Sequence, residues 1–184
     1  MSDRRPFIAG NWKMNNTIAE AEALVQALLP RVGAVEDVDV VVCPPFLALQ
    51  AVVDSVRGSA IGVYAQNMAE RDSGACTGEV SAPMLTEIDV HGVILGHSER
   101  RELFGETDRL LQLKVPRALE AGLVPILCVG ESEEERERGA TERKLRHQVQ
   151  EALEKVPKER RKEFWAYLYG NMHTPSTLRE FWPA

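Results

Sequence analysis

Gly96, His97, Ser98 and Glu99 follow directly on the apolar run Gly92–Leu95, and together they read as a helix start that holds an imidazole. Gly96 permits a tight turn, Ser98 is a good N-cap, and Glu99 with Glu102 puts negative charge into the first helical turn. An imidazole aimed at the N–H groups of a helix start is biased towards its neutral form, because the positive end of the dipole disfavours imidazolium. A neutral imidazole can then work as a hydrogen-bonding electrophile. His91, His147 and His173 have no comparable setting. His91 reads as packing at a strand start and His147 as an exposed helix residue.

Other polar side chains fall at equivalent places. Asn11, Trp12 and Lys13 follow the run beginning at Phe7, Gln66 and Asn67 follow the run ending at Ala65, and Glu131 lies just past the run ending at Val129. A lysine after a strand is ordinarily solvated, and a Gly-His-Ser ordinarily just starts a helix. Four runs that all carry polar groups at the same end are a stronger signal, because that edge is where parallel α/β folds bind ligands.

The elements that must position these groups are legible as short apolar runs. Candidate strands are Phe7–Gly10, Val38–Cys43, Ile61–Ala65, Gly92–Leu95 and Val124–Val129. They are continuous rather than alternating, as strands covered on both faces are. Helical patterns lie between them at Ala19–Leu29, Phe46–Val56, Thr107–Ala121 and Ser132–Lys155, with Gly122 placed to end a helix and Pro125 just inside the next strand. Repeated strand-then-helix units predict an α/β fold with a parallel sheet and right-handed crossovers.

Composition narrows the function classes. The 184 residues include 22 basic and 28 acidic side chains, a formal net charge of −6, which argues against nucleic acid or an anionic membrane surface as the main partner. Cys43, Cys76 and Cys128 form no C-x-x-C pair. This predicts neither a disulfide framework nor a zinc site, and suits a reducing cytoplasm. No apolar run approaches the roughly 18 residues of a membrane span, and the N-terminus lacks a signal-peptide core. From Pro157 the character changes: a dense basic cluster precedes two of the three tryptophans. The expected organisation is a strand-and-helix unit over 1–156 and a divergent tail over 157–184. In that tail Phe164–Tyr169 reads as a sixth strand and Thr177–Trp182 as a short helix, and the charge run Lys155–Lys162 reads as a solvated helix end and loop.

The stretches FIAGNWKMN (7–15), VVVCPPFLAL (40–49), AQNMAERDSGACTGEVSAPML (65–85), GVILGHSERRELFGETD (92–108) and PILCVGES (125–132) resemble triosephosphate isomerases, in order and with the family's spacing over residues 5–155. The resemblance implies a parallel (β/α) barrel of the TIM type, interconversion of dihydroxyacetone phosphate and glyceraldehyde 3-phosphate, no cofactor, no metal, and a homodimer. Position by position, it makes Asn11 and Lys13 substrate-binding residues, with Lys13 offsetting phosphate and enediolate charge. It makes His97 the electrophile that polarises the carbonyl and moves a proton between the two oxygens, and it sets Glu99 behind Lys13 to orient it. It sends Thr77 into a partner's site to brace Asn11 and Lys13. Cys128 matches a cysteine beside the family's site, and also reads as a small buried strand residue.

The resemblance weakens towards the C-terminus. A complete barrel of this type takes roughly 250 residues, and this sequence has 184. The expectation is therefore an incomplete barrel of five to six strands instead of eight, with edges that dimerisation, swapping or aggregation would cover. The family's general base is a glutamate at the end of strand six, followed by a lid, and no equivalent is found. If Ala166–Tyr167 is a remnant of that strand, Leu168 stands in the glutamate's place. Alternatively Leu168-Tyr169-Gly170 with Thr174-Pro175 matches strand seven, and Asn171 and Met172 replace a phosphate-binding Gly-Ser. Glu163 and Glu180 do not end an apolar strand and are not expected to substitute for the base. Two functions follow as expectations: an isomerase of low or absent activity, or a non-catalytic barrel that binds sugar phosphate weakly or docks on an intact subunit.

Overall fold

Six runs of extended backbone pair side by side in the order in which the chain makes them: β1 (Phe7–Asn11), β2 (Asp39–Cys43), β3 (Gly62–Ala65), β4 (Gly92–Leu95), β5 (Val124–Val129) and β6 (Trp165–Leu168). All five pairings are parallel. The computed structural model describes residues 5–163 and 165–168; the expected helix Thr177–Trp182, Glu180, and the Tyr169–Pro175 part of the strand-seven match lie outside them. Helices return the chain between strands: α1 (Ile18–Val32), α2 (Leu49–Val56), α3 (Ala82–Glu87), α4 (Ser98–Phe104), α5 (Asp108–Glu120), α6 (Glu133–Glu137) and α7 (Thr141–Leu153).

Because the strands alternate, each face of the sheet has its own core. On the outer face Val42, Val63, Val93, Leu95, Leu127 and Val129 pack with Val25 of α1, Val52 of α2, Leu111 and Val115 of α5, and Leu145 and Val149 of α7. The inner face gathers Val41, Cys43, Tyr64, Ile94, Ile126 and Cys128, joined by Phe7 and Trp165. Phe7 of β1 stacks on Trp165 of β6, with ring centroids 4.6 Å apart and planes 21° apart. Two strands at opposite ends of the pairing order can touch only if the sheet curls, so this is a sheet of TIM-barrel type, six strands of it among the described residues.

Several expectations are refined by local chemistry. The α1 helix runs past Leu29 to Val32 with Pro30 inside it, and only two helical residues follow that proline, so the bend it imposes disturbs little of the helix. Thr17 and Glu20 form a full capping box at its start. The single pattern Ser132–Lys155 is two helices, because Gly139 takes a left-handed φ of 66° between them. Gly122, at φ 80°, ends α5 as expected. The short α3 falls between the expected strands Ile61–Ala65 and Gly92–Leu95, where no helix is expected. The expectation that strands are covered on both faces holds for β4 and β5 but not β1, where Ile8 is 60% exposed. Among the described residues β1 pairs with β2 alone. Arg160 and Arg161 in the basic run are tied down rather than solvated, donating to the carbonyls of Leu119 and of Val156 and Leu153.

The interior leaves no slack at Gly92. A Cβ there would stand 2.3 Å from the Tyr64 ring and 2.3 Å from the Val124 carbonyl oxygen, and the latter is backbone that cannot swing aside. Gly58 has nothing nearby and pays only for its positive φ of 81°. Gly92→Ala is expected to lower stability by about 3 kcal/mol, and Gly58→Ala by about 1–2 kcal/mol. Urea denaturation of the two variants checks the order; equal midpoints would rule out a tightly packed sheet interior.

Candidate functional site

The turn after β1 is built around one strained residue. Lys13 has φ 53°, a left-handed backbone that a β-carbon disfavours. Both of its backbone polar groups are held. Its N–H donates to Asn11 Oδ1 at 3.0 Å, and its carbonyl accepts from Gln66 Nε2 at 2.8 Å. Gln66 also donates to the Cys43 carbonyl at 2.8 Å, so one amide from the end of β3 ties the ends of β1 and β2 together. From this turn the Lys13 side chain reaches α4. Its Nζ lies 2.5 Å from Glu99 Oε1, a contact between residues 86 apart in sequence.

Glu99 belongs to α4, and here the structure corrects the sequence reading. The N-cap of α4 is His97 itself, not Ser98, which is the first helical residue. His97 Nδ1 accepts the Glu99 N–H at 3.3 Å. An accepting Nδ1 carries no proton, so the neutral ring keeps its proton on Nε2. Glu102 falls beyond the first turn, which holds Glu99 alone as its acid. The His97 side chain is 18% exposed. Burial, with a smaller push from Lys13, holds its pKa below the ordinary histidine value, against opposite pulls from Glu99 and Glu106. Glu99 is itself held below the usual carboxylate range, first by the Lys13 hydrogen bond. Its second oxygen stands 3.5 Å from the bare Nδ1, which has no proton to give it, so Glu99 meets the ring through its N–H and Lys13 through its carboxylate. Lys13 and Glu99 are both about half exposed, and such a pair adds little stability. What it does is fix where the ammonium sits.

Behind this edge lies a polar cluster that pattern reading missed. Glu106 and Lys114 are almost wholly buried and pair at 2.5 Å, and Lys114 Nζ also donates to Asn67 Oδ1 at 2.9 Å. Arg101 donates to the carbonyls of Gly96 and Cys128 and pairs with Asp108 at 2.6 Å. In sequence these are ordinary surface-type charges; only Asn67, at a strand end, stood out. The one available signal was Lys114 on the face of α5 that also carries Leu111, Val115 and Ala118.

Other singled-out residues stand apart. Thr77 is exposed on the loop between β3 and α3, whose base is closed by the Ala69 N–H to Val80 carbonyl bond. Cys128 is buried in the inner core, its thiol pushed up to about 12 mainly by burial, which makes it a packing residue and a poor nucleophile. Glu131 is buried with one oxygen on Arg136 at 2.9 Å. His147 is exposed on α7 as expected, whereas His91 plays a polar part at the strand start, its Nδ1 accepting the Val63 N–H at 3.2 Å. Glu163 precedes β6 and is paired with Arg160 at 2.8 Å, so it sits at the opposite edge of the sheet from Lys13 and His97. The terminal residue of β6 is Leu168. Among the described residues no group of three or more His, Cys, Asp or Glu could hold a metal ion, and no helix is long and apolar enough to cross a membrane.

Known proteins share this arrangement of sequence. A Clostridium botulinum protein named triosephosphate isomerase is 51% identical over 156 residues, covering 85% of this chain and 62% of the relative. Proteins of the same name from Carboxydothermus hydrogenoformans and Rubrobacter xylanophilus are 48% and 51% identical, covering 96% and 83% of this chain and 73% and 60% of their own lengths. The chain thus spans somewhat under two thirds of the Clostridium relative. The family model described as triosephosphate isomerase matches residues 6–167, which takes in all of β1 to β5, the Lys13 turn and the His97 cap. By that match and by identity near one half, the chain belongs to the triosephosphate isomerase family.

Proposed function

We propose that this chain binds a triose phosphate at the C-terminal edge of its sheet and polarises the substrate carbonyl for interconversion of dihydroxyacetone phosphate and glyceraldehyde 3-phosphate. The observation that carries the reading is Glu99, whose carboxylate accepts from Lys13 Nζ at 2.5 Å and whose N–H donates to His97 Nδ1 at 3.3 Å. It holds a cation and a neutral imidazole at one place. Asn11 and Lys13 bind substrate, Lys13 offsetting the phosphate and the charge that develops on the enediolate oxygens. His97, protonated on Nε2, donates to the carbonyl oxygen and passes a proton between the two substrate oxygens. A neutral donor suits this work because its acidity lies nearer that of the enediol than an imidazolium's would. The reading needs no cofactor and no metal. Thr77 serves a second copy of the chain, so the working form is a homodimer, and the setting is the cytoplasm.

Carbon-proton abstraction needs a base, and the family resemblance places it at the end of strand six. Leu168 ends β6 here, and Glu163 lies at the wrong edge. A positioned base typically supplies about 10²–10⁴-fold in rate. That observation favours a second reading, a non-catalytic barrel that binds sugar phosphate weakly or docks on an intact subunit.

Isomerisation of glyceraldehyde 3-phosphate by the purified chain, beside a Lys13→Ala preparation that reports host enzyme, separates the two readings. Turnover well above the control establishes catalysis; equal rates leave binding alone. His97→Gln is expected to change any residual rate by less than about a hundredfold, since the described strand six ends without the base and chemistry that lacks it is slow. Titrating the chain with dihydroxyacetone phosphate should shift the Lys13 and Glu99 amide resonances in either case, and unmoved resonances would exclude this edge as a triose-phosphate site.

The pKa directions set two pH windows. His97 is depressed in the folded chain, so the unfolded chain takes up its proton first as pH falls through about 6.5. Stability is therefore lost below that value, and His97→Gln should reduce the drop in urea midpoint between pH 7.5 and the acid side of the window. Glu99 is also depressed, so its contribution is present above about 4.3 and is lost as pH falls through its lower native value. Lys13→Ala should move the Glu99 titration up towards the ordinary carboxylate range, read by carboxyl carbon resonances.

A further inference from the structure

Gly96 is the residue from which the His97 cap hangs, and both its backbone polar groups are held by charged side chains from further along the chain. Its N–H donates to Glu106 Oε2 at 3.0 Å, and its carbonyl accepts from Arg101 Nε at 2.7 Å. The turn itself is confined. Gly96 has φ 74°, and a Cβ there would stand 2.8 Å from Leu111 Cδ1 and 3.0 Å from both Arg101 Nη2 and the Cys128 carbonyl oxygen. A backbone rotation that moved the imidazole would have to break these contacts.

Glu106 is placed by three elements. It lies between α4 and α5 with its side chain 1% exposed, and its other oxygen pairs with Lys114 of α5 at 2.5 Å. Lys114, 3% exposed, reaches Asn67 after β3. Arg100 Nε stands 3.7 Å from the same Glu106 oxygen that Lys114 binds. Stability alone does not call for such an arrangement, because a buried ion pair is often matched or bettered by an apolar pair of similar volume. The pair does commit one carboxylate oxygen to Lys114, leaving the other directed at a single N–H. That N–H belongs to the residue before the imidazole.

We propose that Glu106, locked by Lys114, is a positioning residue for His97: by accepting the Gly96 N–H it holds the turn in which His97 Nδ1 caps α4. The inference rests on reading His97 as the carbonyl-polarising group. Its observable is the state of the imidazole rather than turnover, so an inactive chain would count against the proposed function and leave this test standing. The charged groups facing the ring are Lys13 from the turn after β1, Glu99 on α4 and Glu106.

The test compares two doubly substituted chains in which Glu106 and Lys114 lose their charges together, so neither member of that pair is left charged alone. Glu106→Gln with Lys114→Met keeps an oxygen acceptor for Gly96. Glu106→Leu with Lys114→Met removes acceptor and charges together while filling the space. Circular dichroism and urea midpoints report the fold; ¹⁵N–¹H spectra of the His97 ring report its tautomer, and hydrogen exchange reports the Glu99 amide that Nδ1 caps. The unsubstituted chain and the Gln/Met chain should show a single tautomer with a bare Nδ1 and a protected Glu99 amide. The Leu/Met chain should fold, lose the single-tautomer signature, and exchange the Glu99 amide about tenfold faster or more. A merely structural pair would move the midpoint and leave the ring alike in both. A native His97 signature in a folded Leu/Met chain overturns the proposal. Should the Leu/Met chain fail to fold, the Gln/Met chain decides: a native signature supports the acceptor role, and its loss overturns it.

Discussion

Each strand of this sheet pairs in parallel with the next one the chain makes, and most other features depend on that constraint. Parallel neighbours need a crossover, and right-handed crossovers put every helix on the same face. The outer face is therefore sealed by α1, α2, α5 and α7, while the inner face must seal itself. It does so by curling until Phe7 meets Trp165 and by alternating bulk with its absence, the Tyr64 ring lying where Gly92 has no side chain. The same constraint collects all strand ends at one edge. Asn11, Gln66, Asn67 and the His97 turn share that edge because their strands run the same way, not because they are close in sequence.

Two carboxylates near α4 show how environment divides similar side chains. Glu99 is half exposed, meets Lys13 with its carboxylate and His97 with its N–H, and the carboxylate can yield Lys13 to an incoming anion at little energetic cost. Glu106 is sealed from water on Lys114 and the Gly96 N–H. Removing one member of that pair would strand a buried charge, which is strongly destabilising. The site thus has a responsive front and a rigid back. The imidazole sits between them, on a backbone held by the rigid part and facing the responsive one.

Lys13 follows the same division. Its backbone is strained and pinned at both polar groups by Asn11 and Gln66, whereas its side chain ends on the exchangeable partner Glu99. Fixed backbones carrying polar tips are what an edge site needs to meet a small charged ligand without reorganising.

Much of this was legible in the residues alone. Continuous apolar runs marked β2 to β5 to within a residue at each end, and the polar groups after β1, β3, β4 and β5 marked the edge proposed for binding, because strand periodicity and helix caps are local signals. Gly96 before His97 announced a turn into a helix. What the linear order could not reveal was which residue caps that helix, since Ser98 is the better cap by type and His97 takes the place by geometry. Nor could it separate Glu106 and Lys114 from the charges around them: a buried ion pair and a solvated one are written with the same letters, and burial is decided by elements packed from 47 residues away. Gln66 reaching Lys13 across 53 residues, and Phe7 meeting Trp165, likewise exist only once the sheet has curled. The sequence by itself determined the elements, their order and the chemistry offered at their ends; only the tertiary structure decided which charges lose water, because desolvation belongs to the surroundings of a group and not to the group.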